Sequence, residues 1–145
     1  MQHYQSEIML KASPASAWDA IKVFDQIHKW HPATEGTVLL AGKNGEPLAV
    51  REFQLKGGGF VISELLEYDE AKMRFKYRIL KTSLPLKGYV GEMSVAPAAG
   101  GGARVHWSAA FRAPEEGAKG DAATLALVQG VFKAGLENLP NVAAR

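Results

Sequence analysis

The sequence contains no cysteine. That excludes a disulfide framework, a thiolate nucleophile and any cysteine-ligated metal. No stretch reaches the roughly 18 consecutive apolar residues that a membrane-spanning helix needs, so no membrane span is expected. Neither sign of charge dominates: 17 Lys and Arg against 15 Asp and Glu leave a net +2. So small a balance argues against a dedicated nucleic-acid binder, which carries a strong basic patch. The opening residues, Met1-Gln2-His3-Tyr4-Gln5-Ser6-Glu7, lack a basic n-region and an apolar h-region. They do not read as a signal peptide, and a cytoplasmic protein is expected. No Gly-x-Ser-x-Gly elbow occurs, so nucleophilic hydrolase chemistry is not expected. The run Gly57-Gly58-Gly59 is followed by neither a helix nor a Lys-Ser/Thr pair, so it is not a phosphate loop. No cofactor is expected.

What is present is a slightly apolar chain of 145 residues, 47% hydrophobic and 22% charged. This length and composition fit one globular unit over residues 1–145 and exclude a disordered chain, a coiled coil and a collagen-like chain. The chain order follows from periodicity. Residues 2–11 read as a strand. Ser13 then caps a short helix with Pro14 at its first position, and Ala17, Trp18, Ile21 and Phe24 follow at helical spacing. Asp25 is a candidate cap for a second short helix carrying Ile27 and Trp30, stopped at His31-Pro32.

The period then becomes two. Strands are expected over Thr37–Ala41, Ala49–Lys56, Phe60–Tyr68, the Met73–Ile79 alternation, the run from Tyr89 to Val95 and the run from Val105 to Phe111. Lys43-Asn44-Gly45-Glu46 is expected to be a hairpin turn with positive φ at both central residues. Pro114–Gly120 reads as a loop or a frayed helix start. Asp121 is the candidate cap of a long helix with Leu125, Val128, Phe132, Leu136 and Leu139 on one face, ending at Pro140. Leu127 and Val131 widen that face beyond one stripe.

Several segments carry a family resemblance. They are Leu10-Lys11-Ala12-Ser13-Pro14-Ala15-Ser16-Ala17-Trp18, Phe24, Trp30-His31-Pro32, Glu64-Leu65-Leu66-Glu67-Tyr68-Asp69, Tyr77-Arg78-Ile79, Val105-His106-Trp107 and the long C-terminal helix. With the element order, they resemble the START-like, pollen-allergen-like superfamily. More narrowly, the chain is similar to the polyketide cyclase/dehydrase and lipid-transport family. The resemblance implies an α+β helix-grip fold. In it a curved antiparallel sheet of about seven strands wraps around the C-terminal helix, two short helices follow the first strand, and a cavity lies between sheet and helix. It brings no invariant catalytic motif, so no catalytic residue is carried over from it.

The candidate site residues each have a plainer reading beside the functional one. Trp30 and His31 sit where the resemblance puts a cavity mouth, as an apolar wall and a titratable polar handle; the plainer reading is a helix stop with a surface histidine. Glu64 shares its phase with Phe60, Ile62 and Leu66. Facing inward it would be a carboxyl of raised pKa, able to act as acid or base. The opposite phase, Val61, Ser63 and Leu65, is equally apolar, and a Glu paired to a sheet Arg is a further alternative. Phe75, Tyr77, Tyr89, Trp107 and Phe111 fall on inner strand faces, with Leu127 and Val131 opposite on the helix. They are expected to line a ligand cavity or to form ordinary core. His28 and His31 have a chelating spacing but no third ligand, so no metal site is expected. Lys72, Arg74, Lys76 and Arg78 make a basic ladder that reads first as a solvated outer face.

Two functions follow as expectations. One is binding of a small hydrophobic molecule, polyketide-, lipid- or aromatic-like, in the cavity. The alternative is a cyclase, dehydratase or isomerase acting on a polyketide-like carbonyl compound in the same cavity, with Glu64 and His31 as acid/base groups. An interior filled by side chains, with no void of ~300 Å³, would sink both. A homodimer is left open, because an exposed apolar face and a cavity wall look alike in sequence.

Overall fold

The computed structural model describes residues 1–115 and 117–143. Glu116, inside the loop expected over Pro114–Gly120, and the last two residues of the expected 1–145 unit lie outside them. Seven antiparallel strands form one sheet: β1 (Gln2–Leu10), β2 (Thr34–Ala41), β3 (Val50–Leu55), β4 (Phe60–Asp69), β5 (Arg74–Thr82), β6 (Lys87–Pro97) and β7 (Ala103–Arg112). Their spatial order is β1-β7-β6-β5-β4-β3-β2. β2 to β7 therefore make a simple meander, and the first strand closes against the last. Helix α1 (Pro14–Ile21) and a short 3-10 helix (Phe24–Lys29) follow β1, and the long helix α2 (Ala118–Val142) ends the chain. The curved sheet grips α2, as the helix-grip reading expects.

Alternation sets which strand faces meet the helix. In β7, Ala103, Val105, Trp107, Ala109 and Phe111 are buried. In β5, Phe75 and Tyr77 are buried while Lys76 and Arg78 face out. The outer basic ladder is largely paired: Arg74 with Glu92, Lys76 with Glu67 and Arg78 with Glu64. From α2, Val128, Phe132, Leu136 and Leu139 enter the core. Phe132 stacks on Trp107 with ring centroids 4.2 Å apart.

Ser13 caps α1 as expected, its hydroxyl accepting the Ser16 N–H at 3.2 Å with Pro14 at the first turn. Several expected boundaries shift. The second helix is capped by Val23 rather than Asp25. Asp25 instead pairs with Asn44, accepting from its Nδ2 and donating its backbone N–H to its Oδ1. That tie holds the β2–β3 connection open as a longer loop, with positive φ at Gly42, Gly45 and Leu48 and not at Asn44. β2 begins three residues early, at Thr34. Helix α2 begins at Ala118, so Asp121 lies in its first turn rather than at its cap. Pro140 falls inside the last turn, where a missing N–H removes only one bond near an already frayed end.

Candidate functional site: a cavity between the sheet and α2

Between the inner sheet face and α2 lies a cavity of about 80 Å³. Its walls come from almost every element. Ile27 and His31 come from the segment after α1, Phe53 from β3, Tyr77 from β5, Tyr89 from β6 and Trp107 from β7. Val128, Val131 and Phe132 close it from the helix. Leu55, Ile79, Leu84 and Val131 are only half-buried and form the rim. The volume falls short of the ~300 Å³ of ordinary ligand pockets, so the void that both ligand readings require is not open in this conformation.

Tyr77, Tyr89, Trp107, His31 and Val131 thus meet at one cavity. The other candidates stand behind the wall. Trp30 packs edge-on against Trp107 at 5.4 Å. Phe75 fills the space between Trp18 and Tyr77. Phe111 stacks behind Tyr89. Leu127 packs at the core's margin, away from the cavity lining.

The two expected acid/base residues do not present free groups to this space. β4 turns Val61, Ser63 and Leu65 inward, which puts Glu64 on the outer face. There its Oε1 accepts from Arg78 at 2.8–2.9 Å. His31 is buried, 2% exposed, but both ring nitrogens are occupied. Nε2 donates to the Val131 carbonyl at 2.8 Å, and Nδ1 accepts the Ala33 N–H at 3.2 Å. This fixes the neutral tautomer with hydrogen on Nε2. Burial lowers the His31 pKa below its usual value; the bond to Val131 opposes that shift, and the Arg51 charge adds to it. His31 is therefore a strut between the 3-10 segment and α2. Asn138 makes a second strut, donating to the Trp30 carbonyl at 2.9 Å. Gly135 lets the helix come this close: a Cβ there would lie 2.7 Å from His31 and 2.8 Å from Trp30. His28 turns elsewhere, its Nδ1 bonded to Thr37 Oγ1 at 2.8 Å.

The polar content of the cavity comes from other groups. Tyr77 Oη and Tyr89 Oη share one hydrogen bond of 2.8 Å, and Trp107 Nε1 donates to Tyr77 Oη at 3.0 Å. Two hydroxyls bring two hydrogens, and their mutual bond uses one. The other is not used by that bond. Burial raises both tyrosine pKa values, so both hydroxyls stay protonated.

Arg51 also lines the cavity, and sequence reasoning missed it. Its signal was available, because Arg51 shares the phase of Ala49, Phe53 and Leu55, the inward set of β3. The guanidinium lies 4.1 Å from the Phe24 ring centroid and donates from Nη1 to the Phe24 carbonyl at 2.9 Å. Burial lowers its pKa to about 10, with Tyr77 and Tyr89 opposing the shift, so it remains a cation at neutral pH.

Comparison with known proteins agrees with this architecture. XoxI from Bacillus cereus superposes with a TM-score of 0.87 at 22% identity, covering 97% of this chain and 94% of that one. A Thermobifida fusca protein solved by NMR gives 0.84 at 24% identity, covering 97% and 91%. The ZhuI aromatase/cyclase from a Streptomyces species gives 0.83 at 16% identity, covering 97% and 92%. At these identities the likeness shows the fold alone. No curated protein matches the sequence. The family described as polyketide cyclase/dehydrase and lipid transport matches residues 1–144. With that match running over the sheet and the gripped helix alike, the chain belongs to the polyketide cyclase/dehydrase and lipid-transport family.

Proposed function

We propose that the protein binds a small hydrophobic molecule in the cavity between the sheet and α2. The observation that carries this reading is an apolar space between sheet and helix, walled by Tyr77, Tyr89, Trp107, Phe132 and aliphatic side chains, which reaches an ordinary ligand volume only when its rim parts. At about 80 Å³ it is smaller than the ~150 Å³ that holds one benzene ring, so even a single-ring ligand needs the rim of Leu55, Ile79 and Leu84 to part. Burial of apolar ligand area supplies the affinity, at about 25 cal/mol per Å² before ordering costs. The test is native mass spectrometry of the purified protein together with Trp fluorescence titration with toluene, hexanol and naphthalene. A retained mass or a saturable change supports the reading. No retained mass and no response to any of the three overturns it.

A second reading, cyclisation or dehydration of a carbonyl compound, draws support from the Tyr77/Tyr89 pair, whose spare hydrogen would stabilise a developing enolate oxygen. The ZhuI neighbour is named an aromatase/cyclase, which supports the same reading. Consumption of a poly-β-carbonyl substrate, lost in Tyr89→Phe while binding persists, separates the enzyme from the binding module.

A further inference from the structure

The charge balance of this cavity is unusual. Arg51 is 5% exposed, and among the described residues no carboxylate pairs with it: the Asp and Glu side chains in ion pairs all serve surface Lys and Arg. Its one hydrogen bond, from Nη1 to the Phe24 carbonyl, leaves Nε without a partner. Directly across the β3–β4 ladder stands Ser63, 1% exposed, whose Oγ is also buried without a partner. Both residues stand in the cavity wall, with Arg51 Nε and Ser63 Oγ covered until that wall parts. The Tyr77–Tyr89 pair, which holds one hydrogen more than its mutual bond uses, stands in the same wall. The polar groups left over are thus chiefly donors, and one of them is a cation. Buried polar groups in a native protein are nearly always satisfied, and a buried charge without a counter-charge is destabilising unless something supplies one.

We propose that the cavity ligand carries a carboxylate head, held by Arg51 and Ser63, with its hydrophobic part against Trp107, Val128 and Phe132. This rests on the reading that the cavity binds a ligand at all. The guanidinium geometry fits. With Nη1 committed to Phe24, the edge formed by Nε and Nη2 is the pair that meets a carboxylate in the bidentate manner. Ser63 adds a third donor from the neighbouring strand, and the spare tyrosine hydrogen a fourth. The rings around Arg51 hold the fork in place: its Cζ is 5.3 Å from the Phe53 centroid and 5.4 Å from that of Tyr77. The limited volume favours short or single-ring acids over long ones.

The test uses matched probes of equal carbon skeleton: phenylacetate with phenylethanol, and hexanoate with hexanol, titrated at pH 7.5 by calorimetry and Trp fluorescence. The acids are expected to bind at least about tenfold more tightly than the alcohols, the scale of a charge-assisted hydrogen bond. Arg51→Gln is expected to remove that preference while leaving alcohol affinity unchanged. If that variant does not fold, Ser63→Ala carries the test, with acid affinity reduced several-fold and alcohol affinity unchanged. Equal binding of acids and alcohols by the unaltered protein overturns the carboxylate inference and leaves the cavity reading standing. An acid preference that survives these substitutions overturns the assignment to Arg51 and Ser63. Binding of neither class overturns the cavity reading, and the inference with it.

Discussion

Gly91 of β6 lies directly across the sheet from Tyr77 of β5, and a Cβ on Gly91 would come within 2.6 Å of the Tyr77 hydroxyl oxygen and ring. The missing side chain is what allows that ring to lie over the sheet, with its hydroxyl reaching both Tyr89 and Trp107. Gly91→Ala is therefore expected to displace Tyr77, cost about 1–3 kcal/mol of stability as an overpacked core, and change Trp emission because Trp107 loses its acceptor. Chemical denaturation and fluorescence spectra check both. An unchanged spectrum with full stability would show that Tyr77 has room to move.

Acid should weaken the fold through His31. Its folded pKa lies below the ordinary 6.5, chiefly because it is buried. The unfolded chain therefore takes up a proton near pH 6.5 while the folded protein does not. The unfolded state then holds more protons, so stability is full above that pH and falls on acidification until the folded pKa is reached. The slope is at most about 1.4 kcal/mol per pH unit for one group. Urea denaturation between pH 8 and pH 5 should show the decline, and His31→Asn should flatten that component.

Truncating Phe132 should test the helix wall. The ring is fully buried, stacked on Trp107 and 5.4 Å from Tyr4. Phe132→Ala is expected to cost about 3–5 kcal/mol. It should also enlarge the cavity enough to admit naphthalene more tightly than the unaltered protein does. Denaturation and fluorescence titration report the two effects separately.

Glu64→Gln should do little. The Glu64–Arg78 pair sits on the outer face with the arginine half exposed, and such pairs contribute about 0–1 kcal/mol. Ligand affinity should not change. A large loss of binding or turnover in this variant would place Glu64 in the site after all.

The sheet was legible because its strands alternate. Phe75 and Tyr77 against Lys76 and Arg78 leave one possible phase. β4 was not legible, because Phe60, Ile62 and Leu66 are as apolar as Val61 and Leu65, and only pairing with β3 and β5 turns Ser63 in and Glu64 out. His31 looked like a free handle because its partner, the Val131 carbonyl, lies 100 residues along the chain. Arg51 escaped for the opposite reason: the period-two pattern placed it inside, but a lone cation is ordinarily assigned to solvent, and nothing local says that aromatic rings will enclose it. Helix ends were the weakest part, as with Asp121 and Pro140, because α2 draws its stability from packing rather than from its caps.

The turn Gly57-Gly58-Gly59 joins the two strands that carry Arg51 and Ser63, with φ of +87°, +106° and +110°. Because side chains alternate faces, a slip of one residue in that hairpin would send one of the pair to solvent. The composition of the cavity wall thus depends on the length of a loop that supplies none of its lining side chains. Evolution could exchange a cationic pocket for a neutral one by altering the length of this turn, with no substitution in the pocket at all.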